Sequence, residues 1–238
     1  KVMRLMERIT AKMNNHLIMV SQEQTDWFAS EYRKQCVTIP TAVNLPSEFA
    51  DTGILGKYNL TSGGYYLYLG RLVQDKNPDY LIRAFLKANL VDAKLVIAGS
   101  NDADIKYVDY LHNLANGDDR VIFTGAVYGL DKETLLKNCG VFCIPSTIEG
   151  LAITLLEAMS YAVPVIASDI QANKEGLGNN GIWVSAEDEK SLCDAIKYCE
   201  ANMNQIKNAA VLNRKRIEER FTWDKVSTLY SRYIESIS

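Results

Sequence analysis

Two stretches of the chain carry residue types that could bind a charged, hydroxyl-rich ligand. The first is Gly70-Arg71-Leu72-Val73-Gln74-Asp75-Lys76-Asn77-Pro78. Gly70 permits a tight turn after an apolar run, Arg71 follows it, and Lys76 stands where a helix is predicted to begin. Two cations beside a helix N-terminus make an anion site, because the free N–H groups and the positive dipole end point the same way. A diphosphate suits such a site: Arg presents a planar fork to two oxygens, and Lys a mobile point charge. The same residues also fit a solvated pair in which Lys76 bridges Asp75 or Asp79. The second stretch runs from Pro145 to Met159, with Glu149-Gly150 in a loop and a helix predicted from about Leu151. The N–H groups of Leu151, Ala152 and Ile153 are then the unpaired donors of a first turn, free to face a phosphate or a sugar hydroxyl. Glu157 follows Glu149 by eight residues. On a continuous helix the two would stand about 12 Å apart, beyond the roughly 5 to 9.5 Å of a glycoside-hydrolysis pair. They are therefore read as holding different parts of one ligand, accepting from paired hydroxyls of a ribose or hexose. The alternative is a helix-start acid at Glu149 and a surface Glu157, although Leu155, Leu156, Ala158 and Met159 make a poor setting for a surface charge.

The elements that must position these residues follow from the apolar pattern. Strands are predicted at 65–69, 94–98, 120–124, 141–144, 163–167 and 181–184. Between and after them come helices at 78–89, 104–115, 132–138, 151–161 and 188–203, then two more at 205–220 and 223–237. Most of the strands are apolar throughout, which marks strands covered on both faces. Strand and helix alternating at this length predicts right-handed crossovers and an α/β, doubly wound parallel sheet. Ligands of such sheets bind beyond the carboxyl ends of the strands at a topological switch point, where both stretches lie. Upstream, a helix with Val2, Met3, Leu5, Met6, Ile9 and Met13 at helical spacing precedes short strands at 17–21 and 36–39 and a helix at 22–32. Its other face carries Lys1, Arg4, Arg8 and Lys12. That helix fits a basic membrane-surface element or, better, one that packs on a part of a longer protein. Residues 44–64, with Pro46, Gly53, Gly56, Gly63 and Gly64, read as a connector and domain boundary.

Composition narrows the class. The 238 residues are 47% hydrophobic and 23% charged, which excludes wholesale disorder. Net charge is −3, from 26 basic and 29 acidic residues, so general attraction to nucleic acid is disfavoured. No apolar run approaches the about 20 residues of a membrane span. Five cysteines, Cys36, Cys139, Cys143, Cys193 and Cys199, contain no CxxC pair and read as buried thiols in a reducing compartment. His16 and His112 are too few and too separated for a zinc site, and each reads as a surface or helix-end residue.

Gly70-Arg71 with Lys76, Glu149-Gly150, Glu157-Ala158-Met159 and Val163-Pro164-Val165-Ile166-Ala167-Ser168-Asp169, in this order and each after a predicted strand, resemble the nucleotide-sugar-binding C-terminal half of a retaining GT-B glycosyltransferase. The group is glycosyl transferases group 1, or family 4, and the resemblance covers about residues 62–200. It implies a Rossmann-like domain, one half of a GT-B fold. It implies that Arg71 and Lys76 bind the donor diphosphate and stabilise its departing charge, and that Glu149 contacts donor-sugar hydroxyls. Gly70 would make the turn. The backbone from Gly150 through Leu151 and Ala152 to Ile153 would hold the sugar and distal phosphate. Glu157 would accept the ribose hydroxyls, Val127 in the loop Gly125-Ala126-Val127 would meet the base, and Lys132 would border that pocket. No metal or other cofactor is implied. Ala152 and Thr154 stand where a common form of the motif has glycine and proline, a departure that bears on sugar preference.

The domain reading divides the chain into 1–44, the end of an N-terminal acceptor domain; 45–64, a linker; 65–220, the nucleotide-sugar-binding domain; and 221–238, a helix crossing back to the N-terminal domain. Its apolar face of Trp223, Val226, Leu229, Tyr230 and Tyr233 is expected to be exposed. The expected function is transfer of a sugar from a nucleotide diphosphate sugar, UDP favoured, to a hydroxyl acceptor bound by the N-terminal half, with little activity from this chain alone. The alternative is a non-catalytic nucleotide-sugar-binding module that pairs with a separate acceptor-binding subunit. The expected setting is cytoplasmic, with no transmembrane segment and peripheral contact at the inner membrane face left open.

Overall fold

The computed structural model describes residues 2–14, 16–48, 52–101 and 103–237. Lys1, read above as part of a basic helix face, lies outside the described residues, as do the side chains of Val2 and Met3. In chain order the elements are α1 (Val2–Met13), β1 (Ile18–Met19), α2 (Gln22–Tyr32), β2 (Val37–Thr38), α3 (Ile54–Lys57), β3 (Tyr65–Leu69) and a 3₁₀ turn (Gln74–Lys76). There follow α4 (Pro78–Ala88), β4 (Lys94–Ala98), α5 (Ile105–Ala115), β5 (Val121–Gly125), α6 (Gly129–Asn138), β6 (Val141–Ile144) and α7 (Ile153–Ser160). The chain closes with β7 (Val165–Ser168), α8 (Gln171–Leu177), β8 (Ile182–Val184), α9 (Glu189–Ala201), α10 (Met203–Arg220) and α11 (Trp223–Ile237).

Among the described residues, β3 to β8 form one parallel sheet in the order β5-β4-β3-β6-β7-β8, and β1 and β2 a separate parallel pair. β6 and β7 are buried along their whole length and β3 and β4 at all but one position, as strands sandwiched between helices must be. One face of the sheet packs on Leu81, Ile82 and Phe85 of α4, Leu111 of α5 and Ile196 of α9. The other packs on Leu135 and Leu136 of α6 and on Leu155, Leu156 and Met159 of α7. Each such buried apolar side chain is worth about 1.5–3 kcal/mol of area removed from water. From β3 the chain steps outward to β4 and β5, then returns to place β6 on β3's other side. The crevice beyond the carboxyl ends of β3 and β6 is therefore the topological switch point.

Three short elements were not foreseen. In the segment read as a connector, α3 forms and buries Ile54, and Leu60 is buried just after it. The 3₁₀ turn and α8 are each too short to show a helical period. α6 starts at Gly129 rather than at the expected Lys132, and the apolar pattern missed this first turn because Gly129-Leu130-Asp131 adds no apolar stripe, Leu130 being exposed. α11 also differs in part: Val226 is buried with Ile39 and Ala42, and Tyr233 packs against that cluster, while Trp223, Leu229 and Tyr230 are exposed. The helix thus leaves the large sheet and docks on the β1–β2 unit, helped by a bridge between Val43 and Thr222. His16 meets the Tyr233 hydroxyl at 3.4 Å, and His112 sits in the last turn of α5 against Phe123. No helix among the described residues is long and apolar enough to cross a membrane.

The cysteines are free thiols, Cys36 half-buried and Cys139, Cys143, Cys193 and Cys199 buried. Burial raises the thiols of Cys139 and Cys143, and takes Cys199 up to about 12. Because the thiolate is the nucleophile, a colorimetric thiol reagent is expected to titrate one thiol quickly in the native protein and all five in denaturant. Two or more fast thiols would contradict this packing.

Candidate donor-binding site

The site begins at the end of β3. Gly70 N–H donates to the Ala98 carbonyl at 3.0 Å, and Leu72 N–H to Ser100 at 3.3 Å, so the strand edge continues into the loop. The buried Tyr68 hydroxyl donates to the Arg71 carbonyl at 2.6 Å, which fixes the backbone of Arg71. Burial first, then Tyr107 and nearby carboxylates, hold that hydroxyl well above its ordinary pKa, so it stays a donor. The Arg71 side chain is exposed and has no carboxylate partner among the described residues.

Lys76 ends the 3₁₀ turn, and Asn77, left-handed and 1% exposed, turns the chain into α4. Asn77 Nδ2 donates to the Pro145 carbonyl at 2.9 Å, and Thr147 N–H to the Asp75 carbonyl at 2.9 Å. These bonds zip the loop after β3 to the loop after β6. Lys76 Nζ consequently lies 2.8 Å from Glu149 Oε1 and donates to the Ile148 carbonyl at 2.8 Å. The pairing of Lys76 with Asp75 or Asp79 considered from the sequence is not the one formed: the turn carries the lysine across the crevice instead. Below this loop, Ser168 Oγ donates to the Ser146 carbonyl at 2.5 Å and receives Asn173 Nδ2 at 3.0 Å.

The start of α7 is corrected by the structure. Leu151 is only 7% exposed, and burying it holds the chain extended through Ala152 (φ −67°, ψ 119°), which is the N-cap and makes no side-chain cap. The first turn therefore presents the N–H groups of Ile153, Thr154 and Leu155, rather than of Leu151, Ala152 and Ile153. Alanine is among the poorest caps, so these donors stay open to a ligand. Because residues 149–152 are loop, the separation of Glu149 and Glu157 expected of a continuous helix does not apply.

Glu157, one turn into α7, pairs with Lys132 of α6 at 2.6 Å. Its other oxygen, Oε2, is buried with no hydrogen-bond partner, an acceptor left unspent. Both side chains line an open cavity of about 400 Å³ that Asn44, Leu45, Pro46 and Ser47 also line. Val127 is half-buried against the core below α6. Lys76 and Glu149 thus meet at the switch point, next to Gly150 and with Arg71 on the same loop as Lys76, while Glu157 and Lys132 share the cavity beside α7. No three His, Cys, Asp or Glu side chains converge on a metal position among the described residues.

The sequence profile described as glycosyl transferases group 1 matches residues 57–216. The chain belongs to the glycosyl transferases group 1 family. Among its relatives is an uncharacterized glycosyltransferase of Methanocaldococcus jannaschii, 33% identical over 167 residues, which is 68% of this chain and 42% of that protein. Another is the phosphatidyl-myo-inositol mannosyltransferase of Mycolicibacterium smegmatis, 27% identical over 93% of this chain and 57% of that protein. The chain spans about half the length of the curated relatives it matches. The fold is that of Anabaena HepE, solved with UDP and glucose, at a TM-score of 0.88 and 18% identity, covering 98% of this chain and 66% of that one. The likeness assigns the sheet and its helices to the Rossmann-like half of a GT-B glycosyltransferase.

Several residues that build the site escaped the sequence reading. A Cβ on Gly99 would lie 1.9 Å from the Gly70 carbonyl oxygen, so the loops after β3 and β4 meet only because residue 99 is glycine. The signal was present: Gly99 ends an apolar strand as Gly70 does. Asn77, Thr147 and Ser168 act through backbone carbonyls distant in sequence, Asn173 steadies Ser168 from five residues on, and no local pattern marks them.

Proposed function

We propose that this chain is the donor-binding half of a retaining glycosyltransferase, moving a sugar from a nucleoside diphosphate to a hydroxyl of an acceptor. The observation that supports this reading is the ion pair at the switch point that brings Lys76, from the loop after β3, onto Glu149, from the loop after β6, with the exposed Arg71 on the same β3 loop as Lys76. Arg71 and Lys76 grip the diphosphate, and their charge stabilises it as it leaves. They do the work for which a metal ion would otherwise serve, so no metal is called for. Lys76 exchanges part of its contact with Glu149 for a phosphate oxygen, which frees Glu149 to accept from sugar hydroxyls. The open first turn of α7, with Gly150, holds the sugar and distal phosphate. The unspent Oε2 of Glu157 accepts from the ribose, and Val127 borders the base beside Lys132. A uracil base is favoured, in line with the UDP of the Anabaena structure.

In the reaction, the bond from the anomeric carbon to the phosphate oxygen breaks and its electron pair leaves with the phosphate. The acceptor oxygen bonds to the same carbon from the same face, and its proton passes to the departing phosphate oxygen. Configuration is therefore retained. The acceptor site belongs to the part of such enzymes that this chain does not span, approached by α11 and the β1–β2 unit. Buried free thiols support a cytoplasmic setting.

The test offers the protein UDP-, GDP- and ADP-sugars and reads free nucleotide and product. The 238-residue chain is expected to bind one donor class and turn it over slowly. Joined to an acceptor half, it is expected to give a product whose anomeric proton coupling matches the donor's configuration. An inverted product would overturn retention, and robust transfer by the chain alone would overturn the division of labour.

A further inference from the structure

We infer that Gln24 forms a wall of the donor-sugar subsite, and that Glu175 is the positioning residue that holds it there. This rests on the donor-site reading above and adds to it a residue that selects the sugar. The starting point is Gly150, between Glu149 and α7. A Cβ at that position would lie 2.9 Å from Gln24 Nε2 and 3.6 Å from Val20 Cγ2. The amide of Gln24 thus lies directly against the backbone of the loop that follows Glu149, although the two residues are far apart in sequence. The Gln24 amide is also oriented, because its Oε1 accepts from Val20 N–H at 3.3 Å. Nε2 is then the end facing the loop, and it makes no hydrogen bond among the described residues. An amide N–H pair held beside a sugar-binding carboxylate is suited to donate to a sugar hydroxyl or acyl oxygen.

What keeps Gln24 in position is the first turn of α2. Ser21 Oγ accepts from Gln24 N–H at 3.3 Å. The next two donors are taken by a side chain of the large domain: Glu175 of α8 accepts from Gln22 N–H at 2.8 Å and from Glu23 N–H at 2.9 Å, one through each carboxylate oxygen. A carboxylate bridging two open amides at a helix start gains from hydrogen bonding and from the dipole together. Glu175 is anchored in turn, since Arg216 Nε donates to the Gly176 carbonyl at 2.7 Å and Nη2 to the Glu175 carbonyl at 2.9 Å. A continuous set of contacts therefore runs from Arg216 through Glu175 and α2 to Gln24 and Gly150. By this route the β1–α2 unit, outside the nucleotide-binding sheet, sets which sugar fits.

The experiment is calorimetric titration of the chain with paired probes: UDP and UDP-glucose, GDP and GDP-mannose, ADP and ADP-glucose. For the pair that binds, Gln24→Ala is expected to weaken the nucleotide sugar by roughly 5-fold or more, the worth of one hydrogen bond, and to leave the bare nucleotide within about 2-fold. Glu175→Gln is expected to move the same ratio in the same direction and to speed hydrogen exchange at the Gln22 and Glu23 amides. Gly150→Ala is expected to weaken the nucleotide sugar, and Gln24→Gly in that background to recover part of the loss. The inference is overturned if Gln24→Ala leaves both ligands unchanged, or weakens them equally, since Gln24 would then be scaffold for the loop. If Glu175→Gln fails to fold, the Gln24→Ala and Gly150→Ala arms decide. Wild-type protein that binds none of the six probes would fail differently, by removing the donor site itself.

Discussion

Replacing Lys76 by alanine is expected to weaken binding of the nucleoside diphosphate by on the order of 100-fold. A charge-assisted hydrogen bond is worth about 1.5–3 kcal/mol, and a tenfold change in affinity is about 1.4 kcal/mol. The loss is compounded by what remains. Lys76 and Glu149 stand 2.8 Å apart with side chains only 16% and 13% exposed, so removing the lysine leaves a half-sheltered carboxylate facing the incoming phosphates. Breaking such a pair from one side costs more than the pair itself contributes. The double variant Lys76→Ala/Glu149→Ala is therefore expected to bind about tenfold better than Lys76→Ala, because the like-charge repulsion goes with the carboxylate. Calorimetry on the wild type, the two single variants and the double variant checks this, and a double variant as weak as the product of the two single losses would remove the coupling.

Gly99→Ala is expected to be the most damaging single-methyl change in the fold. The added carbon would lie 1.9 Å from the Gly70 carbonyl oxygen and 3.1 Å from its carbon. Neither neighbour is the far end of a flexible side chain. To relieve the overlap, the loop after β3 must withdraw from β4, breaking the bond from Leu72 N–H to Ser100 and displacing Arg71. We expect a loss of about 3 kcal/mol or more in urea unfolding, at the upper end of point-mutation effects. Gly56→Ala is the matched control. Nothing lies within 4 Å of its Cβ and it sits in α3, so it is expected to be neutral or to stabilise by about 0.5 kcal/mol. Equal stability of the two variants would contradict the close approach of the two loops.

The sheet was legible because parallel strands buried on both faces must be apolar throughout. Tyr65–Leu69, Lys94–Ala98 and Val141–Ile144 stand where the apolar runs predict them. That Lys76 and Glu149 would come near one another was legible for a related reason, since both loops follow strands of one sheet and strand ends converge. Legibility failed where a side chain answers to a distant partner. The ion-pair partner of Lys76 was not legible, because the sequence offers Asp75 and Asp79 nearby while the zipped loops deliver Glu149. The start of α7 was misread by two residues because Leu151 fits a helical period equally well. Its burial in the core is a tertiary preference that propensity does not carry. Gln24 reaches Gly150, and Glu175 reaches the start of α2, only through contacts between segments far apart in sequence, which no periodicity encodes.

The central claim is that the crevice at the ends of β3 and β6 holds a nucleoside diphosphate. The most direct measurement is calorimetric titration of the chain with UDP, GDP and ADP, with Arg71→Ala and Glu157→Ala run beside the wild type. The account predicts saturable binding of one nucleotide, weakened at least tenfold by Arg71→Ala through the phosphates. It also predicts weakening by Glu157→Ala through the ribose, with both variants retaining the wild-type melting temperature. Binding of a nucleotide that ignores both substitutions, or no binding of any of the three, would contradict it.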